Sequence, residues 1–126
     1  MTTDKDELLQ QARDRNEMSI TLNSIQPTLH ELKLGLKELY GDRLVKLILF
    51  GSHARGEANP DSDIDLLAVL KSPVSQVQEI SYMSDLRVKM ILEHDELVSI
   101  IPITEEDFSK RNVAFLRNIR KEGIEL

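Results

Sequence analysis

Residues 50–70 read FGSHARGEANPDSDIDLLAVL, and this stretch decides the fold because it joins two apolar segments through a polar turn. The segment RLVKLILFGS at 43–52 is nearly continuously apolar, which is typical of a strand covered on both faces. DIDLLAVL at 63–70 predicts the next strand. HARGEANPDS at 53–62 is rich in residues that favour turns. We therefore predict two successive strands joined by a polar loop.

Two carboxylates lie one residue apart at the start of the second predicted strand. Because side chains alternate along a strand, Asp63 and Asp65 point to one face while Ile64 and Leu66 point into the core on the other. Mg²⁺ prefers hard oxygen ligands and commonly takes one or two protein carboxylates together with substrate phosphate oxygens. The pair is therefore a candidate metal site.

Gly51 and Ser52 stand at the end of the first predicted strand, where a phosphate could approach the backbone. Glycine permits close approach, and a helical turn after it would direct free N–H groups at an anion with the Ser52 hydroxyl beside them. The residues thus favour polyphosphate at one end of the loop and divalent metal at the other.

The spacing Gly-Ser, ten residues, Asp-x-Asp resembles the signature of the nucleotidyltransferase superfamily, with Gly51, Ser52, Asp63 and Asp65 at the matching positions. The short chain and its element order look like the minimal nucleotidyltransferases. The resemblance implies a polymerase-beta-like fold, a nucleoside triphosphate such as ATP as donor, and Mg²⁺ or Mn²⁺ held by Asp63 and Asp65. It also implies in-line attack on the α-phosphorus, with positioning and charge neutralisation as most of the catalysis.

The same resemblance implies a nucleotide-binding set that consists of Gly51, Ser52, His53 and Arg55. Ser52 and the backbone from Gly51 to His53 would hold the β- and γ-phosphates. Arg55 would either contact phosphate or brace the loop.

A third catalytic carboxylate is common in the family, on a later strand, where it helps to bind metal and to activate the acceptor hydroxyl. Here the aligned position is Ser99, which cannot act as a base at neutral pH. Either catalysis is weakened, or Glu96 or Asp95 substitutes. The plain alternative is that EHDE, residues 93–96, is a solvated turn between helix and strand.

Minimal nucleotidyltransferases are often the antitoxin of a pair whose toxin is a helical HEPN ribonuclease. The resemblance therefore implies that AMP is transferred from ATP to a partner protein, in known pairs to a toxin tyrosine. A second class stays open: an inactive or weak antitoxin that neutralises its partner by binding. That class does not need Asp63 and Asp65, so their presence favours the enzyme.

The rest of the chain predicts an α+β fold, a small mixed sheet packed with helices. Helical spacing predicts helices in 23–41 and after Pro73, a third strand in ELVSIIPI, a short helix capped by Thr104, and a helix in 111–123. Residues 5–20 have a thin apolar stripe and predict a marginal helix. We therefore divide the chain into an N-terminal helical extension, 1–24, and a nucleotidyltransferase domain, 25–126.

Composition excludes several classes of partner. The chain has 126 residues, no cysteine and a net charge of −6, so we expect one domain, no thiolate site and no long nucleic acid as partner. Its start, MTTDKDELLQQ, is acidic where a signal peptide is basic and then apolar, and no apolar run is long enough to span a membrane. We expect a cytoplasmic protein with no membrane partner.

Overall fold

The computed structural model describes Leu22 and residues 24–126, and the helices and strands alternate along this part of the chain. The elements are α1 (Gln26–Tyr40), a 3₁₀ turn (Gly41–Arg43), β1 (Leu44–Phe50), α2 (Ser52–Arg55), β2 (Ile64–Leu70), α3 (Gln76–His94), β3 (Val98–Thr104), α4 (Glu105–Lys110), α5 (Ala114–Glu122) and β4 (Ile124–Glu125). The predicted α+β class is confirmed.

The four strands form one mixed sheet in the order β3-β2-β1-β4. β1 is antiparallel to both β2 and β4, whereas β2 and β3 are parallel. The parallel pair needs a long crossover, and α3 supplies it. β2 therefore lies inside the sheet, with its first residues beside the end of β1.

Each face of β2 is covered by different helices, which explains why the sequence of this strand is apolar at nearly every position. Ile64, Leu66, Ala68 and Leu70 belong to a large core with α1 and α3. We call this side the helix face. Leu67 and Val69 pack instead in a smaller cluster with residues of α5, on the side that we call the open face.

Capping residues mark several of the helix ends. α1 buries Leu29, Leu32 and Leu36 and ends before Gly41. The φ of Gly41 is 55°, a conformation that glycine adopts more readily than other residues. The Ser75 side chain caps α3 by accepting from the Gln78 amide. Thr104 Oγ1 accepts from the Asp107 amide at 3.0 Å, so the predicted cap of α4 is confirmed.

The polar loop predicted at 53–62 contains α2, the helical turn expected after Gly51. Two other features differ from the sequence predictions. The helix predicted over 111–123 begins at Ala114, because residues before it stay extended, and Gly123 ends it with an ordinary φ of −67°. β4 was not predicted, since two residues give no periodicity; it is defined by backbone pairing with β1.

The marginal helix predicted at residues 5–20 lies outside the described part of the chain. The proposed boundary between 1–24 and 25–126 therefore stays a prediction. Within Leu22 and residues 24–126, no helix is both long enough and apolar enough to cross a bilayer.

Candidate active site

The end of β1 and the start of β2 meet at a close contact between Gly51 and Asp65. Phe50 pairs with Asp65 in the antiparallel register, so Gly51 follows directly beside that carboxylate. Gly51 has a φ of 77°, and a Cβ placed on it would collide with Asp65 Oδ2. The position thus requires glycine both for its backbone conformation and for space.

Ser52 begins α2, the helical turn predicted after Gly51. No side chain caps the start of this turn, and its first amides have no acceptor within the helix. Gly56 closes the turn in the left-handed region at a φ of 72°, and the Glu57 amide donates to the Ser52 carbonyl at 2.9 Å. The turn therefore presents backbone N–H groups beside Asp65.

Asp65 is half-buried on the open face, and Asp63 stands exposed just before β2. Burial raises the pKa of Asp65, and the negative charge of Asp63 raises it further, against the opposite effects of His53 and Arg55. A divalent cation would relieve both the desolvation and the repulsion. The donor set of two carboxylates therefore fits Mg²⁺ or Mn²⁺.

The side chain of His53 is 5% exposed and lies under the loop. Its Nε2 is 3.3 Å from the Ser62 carbonyl, and its Nδ1 is buried with no hydrogen-bond partner among the described residues. The backbone of His53 belongs to the first turn of α2, whereas its imidazole holds the loop that leads to Asp63. Any phosphate contact of His53 would therefore be made by its backbone N–H and not by its imidazole.

Arg55 lies at the end of α2, and its two alternative roles, phosphate contact and loop bracing, stay predictions. Its Nε donates to Glu57 Oε2 at 3.0 Å, and the residue also lines the cleft beside Asp65. Its side chain is 43% exposed, so the ion pair with Glu57 is in water and of small energy.

The aligned position for a third carboxylate is Ser99, as the sequence predicts. In the parallel pairing of β2 and β3, Asp65 lies opposite Ser99. Glu96 precedes β3, and burial raises its pKa, with the nearby His53 opposing this effect and Asp95 adding to it. Glu96 therefore lies near His53, but it is not among the residues that line the cleft.

A wall of the cleft that sequence reasoning missed comes from α5. The cleft has a volume of about 410 Å³, and α5 contributes Phe115, Asn118 and Glu122 to its lining. Phe115 packs edge to face on Phe50, with ring centroids 5.5 Å apart, which fixes α5 over the end of β1. The three residues are spaced three and four apart, so helical spacing was the signal that could have found them.

A second cleft of about 470 Å³ lies on the other side of Phe115. Its lining is largely apolar, from Leu67, Ile101 and Leu116, with Asp107 and Arg111 at the α4 end. It contains none of the residues of the Gly-Ser and Asp-x-Asp set. The smaller cleft is therefore the candidate active site.

Comparisons with known proteins agree with this geometry. The family model of the nucleotidyltransferase domain matches residues 29–125. A Methanocaldococcus jannaschii protein named "Putative protein adenylyltransferase" is 37% identical over 99 residues, 78% of this chain and 93% of that protein. A second protein of that name and organism is 33% identical over 73% of this chain and 61% of its own length. A crystal structure of a toxin-antitoxin with AMP-PNP shares the fold, with a TM-score of 0.56 at 17% identity over 76% of this chain and 69% of that one.

Proposed function

This chain belongs to the nucleotidyltransferase domain family, and we propose that it transfers AMP from ATP to a partner protein, with a divalent metal ion at the carboxylate pair. The family makes it an enzyme of the nucleotidyltransferase class. The proposal goes beyond the family assignment in naming the donor, the acceptor and the metal.

The observation that carries the proposal is the contact between Gly51 and Asp65. It brings the uncapped first turn of α2, which suits phosphate, against a carboxylate whose pKa is raised by burial and by the negative charge of Asp63. Anion-binding amides and cation-binding carboxylates side by side fit a metal-bound triphosphate better than either ligand alone.

Each residue of the site then has a role. The amides of Ser52 and His53 and the Ser52 hydroxyl hold the β- and γ-phosphates, and Arg55 adds positive charge at the rim of the cleft. Mg²⁺ or Mn²⁺ held by Asp63 and Asp65 would neutralise the phosphate charge. The acceptor oxygen bonds to the α-phosphorus as the bond from that phosphorus to pyrophosphate breaks, and pyrophosphate leaves with the electron pair.

The acceptor hydroxyl must also lose its proton, and the residue that takes it is open to test. Asp65 and Glu122 are the carboxylates that line the cleft, and Asp65 is committed to the metal in this scheme. We assign the base to Glu122 in preference to Glu96, which lies outside the cleft lining. Glu122→Gln should lower the rate and alter its pH profile, and Glu96→Gln is the matched variant that should do neither.

The partner that we propose is a HEPN-type toxin, so that the protein acts as an antitoxin. Support comes from two directions: the relatives are named as protein adenylyltransferases, and a structural neighbour is a toxin-antitoxin crystallised with AMP-PNP. The net charge of −6 also disfavours a long nucleic acid as the acceptor.

One observation favours a second candidate function, neutralisation by binding alone. Ser99 lies opposite Asp65, where a third carboxylate would complete the site. A site with two carboxylates instead of three could retain nucleotide binding and lose most of its catalysis. The protein would then act as an antitoxin by covering its partner.

The experiment mixes the purified protein with Mg²⁺, each α-labelled nucleoside triphosphate in turn, and the product of the adjacent gene. We expect label from ATP to enter the partner protein. If no nucleotide labels the partner and the partner is still neutralised, then neutralisation occurs by binding and not by transfer. Label that enters RNA instead of protein would overturn the proposed acceptor.

A further inference from the structure

Three side chains with metal-ligand chemistry converge away from the cleft, where α1 meets the end of α3. Glu31 comes from α1, and Glu93 and His94 come from the last turn of α3. One ligand atom from each lies within 4.8 Å of the other two. We call these three residues the helix-end cluster.

Glu31 and His94 are in close contact, and their side chains are 37% and 21% exposed. His94 Nε2 lies 3.2 Å from Glu31 Oε1, yet Nε2 is without a partner in hydrogen-bonding geometry among the described residues. Glu31 Oε2 is likewise buried and unpartnered within that part of the chain. A buried polar atom without a partner is costly, which points to a ligand that both residues can share.

The separation also fits two ligands of one ion. Two atoms that each bind a tetrahedral Zn²⁺ at about 2.0–2.1 Å are separated by about 3.3–3.4 Å. The 3.2 Å between His94 Nε2 and Glu31 Oε1 is close to that tetrahedral edge.

The electrostatic setting favours a cation. The cluster lies at the C-terminus of α3, where the helix dipole is negative, and Asp95 follows directly. Lys89, one turn earlier, places a positive charge near Glu31 and offsets part of this field. Two carboxylates of the cluster and Asp95 still leave the helix end with an excess of negative charge.

We propose that Glu31, Glu93 and His94 bind a divalent transition-metal ion of the Zn²⁺ class and so tie α1 to the end of α3. An imidazole nitrogen with carboxylate oxygens suits Zn²⁺, whereas Mg²⁺ prefers oxygen ligands throughout. Glu93 is exposed, which leaves room for water as a fourth ligand. The ion is structural and lies on the helix face, apart from Asp63 and Asp65.

The test uses the full chain with Asp63→Asn and Asp65→Asn, so that the proposed active site cannot supply the binding. After treatment with a chelator, Zn²⁺ alone is titrated by calorimetry and the melting temperature is recorded with and without the ion. We expect one bound Zn²⁺ per chain and a higher melting temperature. MgCl₂ at the same concentration should give neither.

Three further variants in that background assign the ligands. His94→Gln and Glu93→Gln should each weaken Zn²⁺ binding at least tenfold. His30→Gln is the matched control, because His30 is exposed on α1 next to Glu31 and should leave binding unchanged. Glu93 is exposed, so its variant should keep the fold even if the His94 variant does not.

Two results would overturn the proposal. Absence of Zn²⁺ binding in the background variant would leave the helix-end cluster as an interhelical ion pair. Binding that survives both Glu93→Gln and His94→Gln would place the ion elsewhere in the chain.

Discussion

The two faces of the sheet differ in how completely helices cover them. The helix face carries α1 and α3 over a core of fifteen buried residues, whereas the open face carries the short α4 and α5 over five. Both clefts described above include residues of the open face, and Asp65 lies at its edge. Incomplete cover is therefore what leaves room for a ligand on the open face.

The largest effect is expected from removing the charges at the edge of the open face. Asp63→Asn with Asp65→Asn keeps the side-chain volume and removes two negative charges from the proposed metal site. Losing several kcal/mol of transition-state stabilisation lowers the rate by a factor of thousands. We expect label transfer to fall by about that factor, with the circular dichroism spectrum unchanged.

Two milder variants calibrate that result. Ser52→Ala should reduce transfer less, because the backbone amides still hold phosphate, and a change of the buried His53 should act mainly through the loop. If the double aspartate variant protects cells from the partner as well as the unmodified protein does, binding alone accounts for neutralisation.

The helix face should show the opposite pattern, a loss of stability without a loss of chemistry. Leu36 is 0% exposed in the core between α1 and the sheet. Leu36→Ala should lower the free energy of unfolding by about 2–5 kcal/mol because it leaves a cavity. Urea denaturation measures this loss, and transfer per folded molecule at low temperature should stay the same. A variant that keeps its stability but loses transfer would show that the two faces are not separate in function.

Gly51 tests the contact with Asp65 at the edge of the open face, and Gly41 is a matched control. Both have a positive φ, but a Cβ on Gly41 meets nothing within 4 Å, whereas one on Gly51 collides with Asp65. Gly41→Ala should cost about 1–2 kcal/mol of stability from backbone strain alone. Gly51→Ala should cost more and should lower transfer about 100-fold, because it displaces a catalytic carboxylate.

Urea denaturation and label transfer on both variants separate strain from collision. Equal losses of transfer in Gly41→Ala and Gly51→Ala would mean that the contact between Gly51 and Asp65 has no part in catalysis. That outcome would remove the observation on which the proposed function rests.

The same contrast explains what the sequence could and could not predict. The strands and the place of Asp65 on one face of β2 follow from local alternation, whereas Asp63 lies just before that strand. The α5 wall does not follow from alternation, because nothing local says that Glu122 will line the same cleft as Asp65. β4 is missed for a related reason, since its two residues are defined by their partner strand.

Side-chain burial was the other quantity out of reach. His53 lies in a polar turn motif whose side chains would be expected to be exposed, yet it is buried beneath its own loop. Its burial depends on how that loop closes over the sheet. Residues that act through contacts distant in sequence are the ones that local pattern cannot place.

The smallest effect concerns the helix face at high pH. Tyr40 is 7% exposed, and burial, with the charge of Glu79 adding to it, raises the pKa of its phenol to about 12. The unfolded chain would lose that proton near its ordinary pKa of 10.0, so stability is unaffected below pH 10 and falls as the pH rises from 10 to 12.

The chain has two tyrosines, so Tyr82→Phe leaves Tyr40 as the sole source of the tyrosinate absorbance. We expect its midpoint near 12, and Tyr40→Phe should remove this part of the alkaline loss of stability. A midpoint near 10 in the folded protein would mean that water reaches the helix face. The two faces would then differ in the chemistry of their ligands and not in how completely helices cover them.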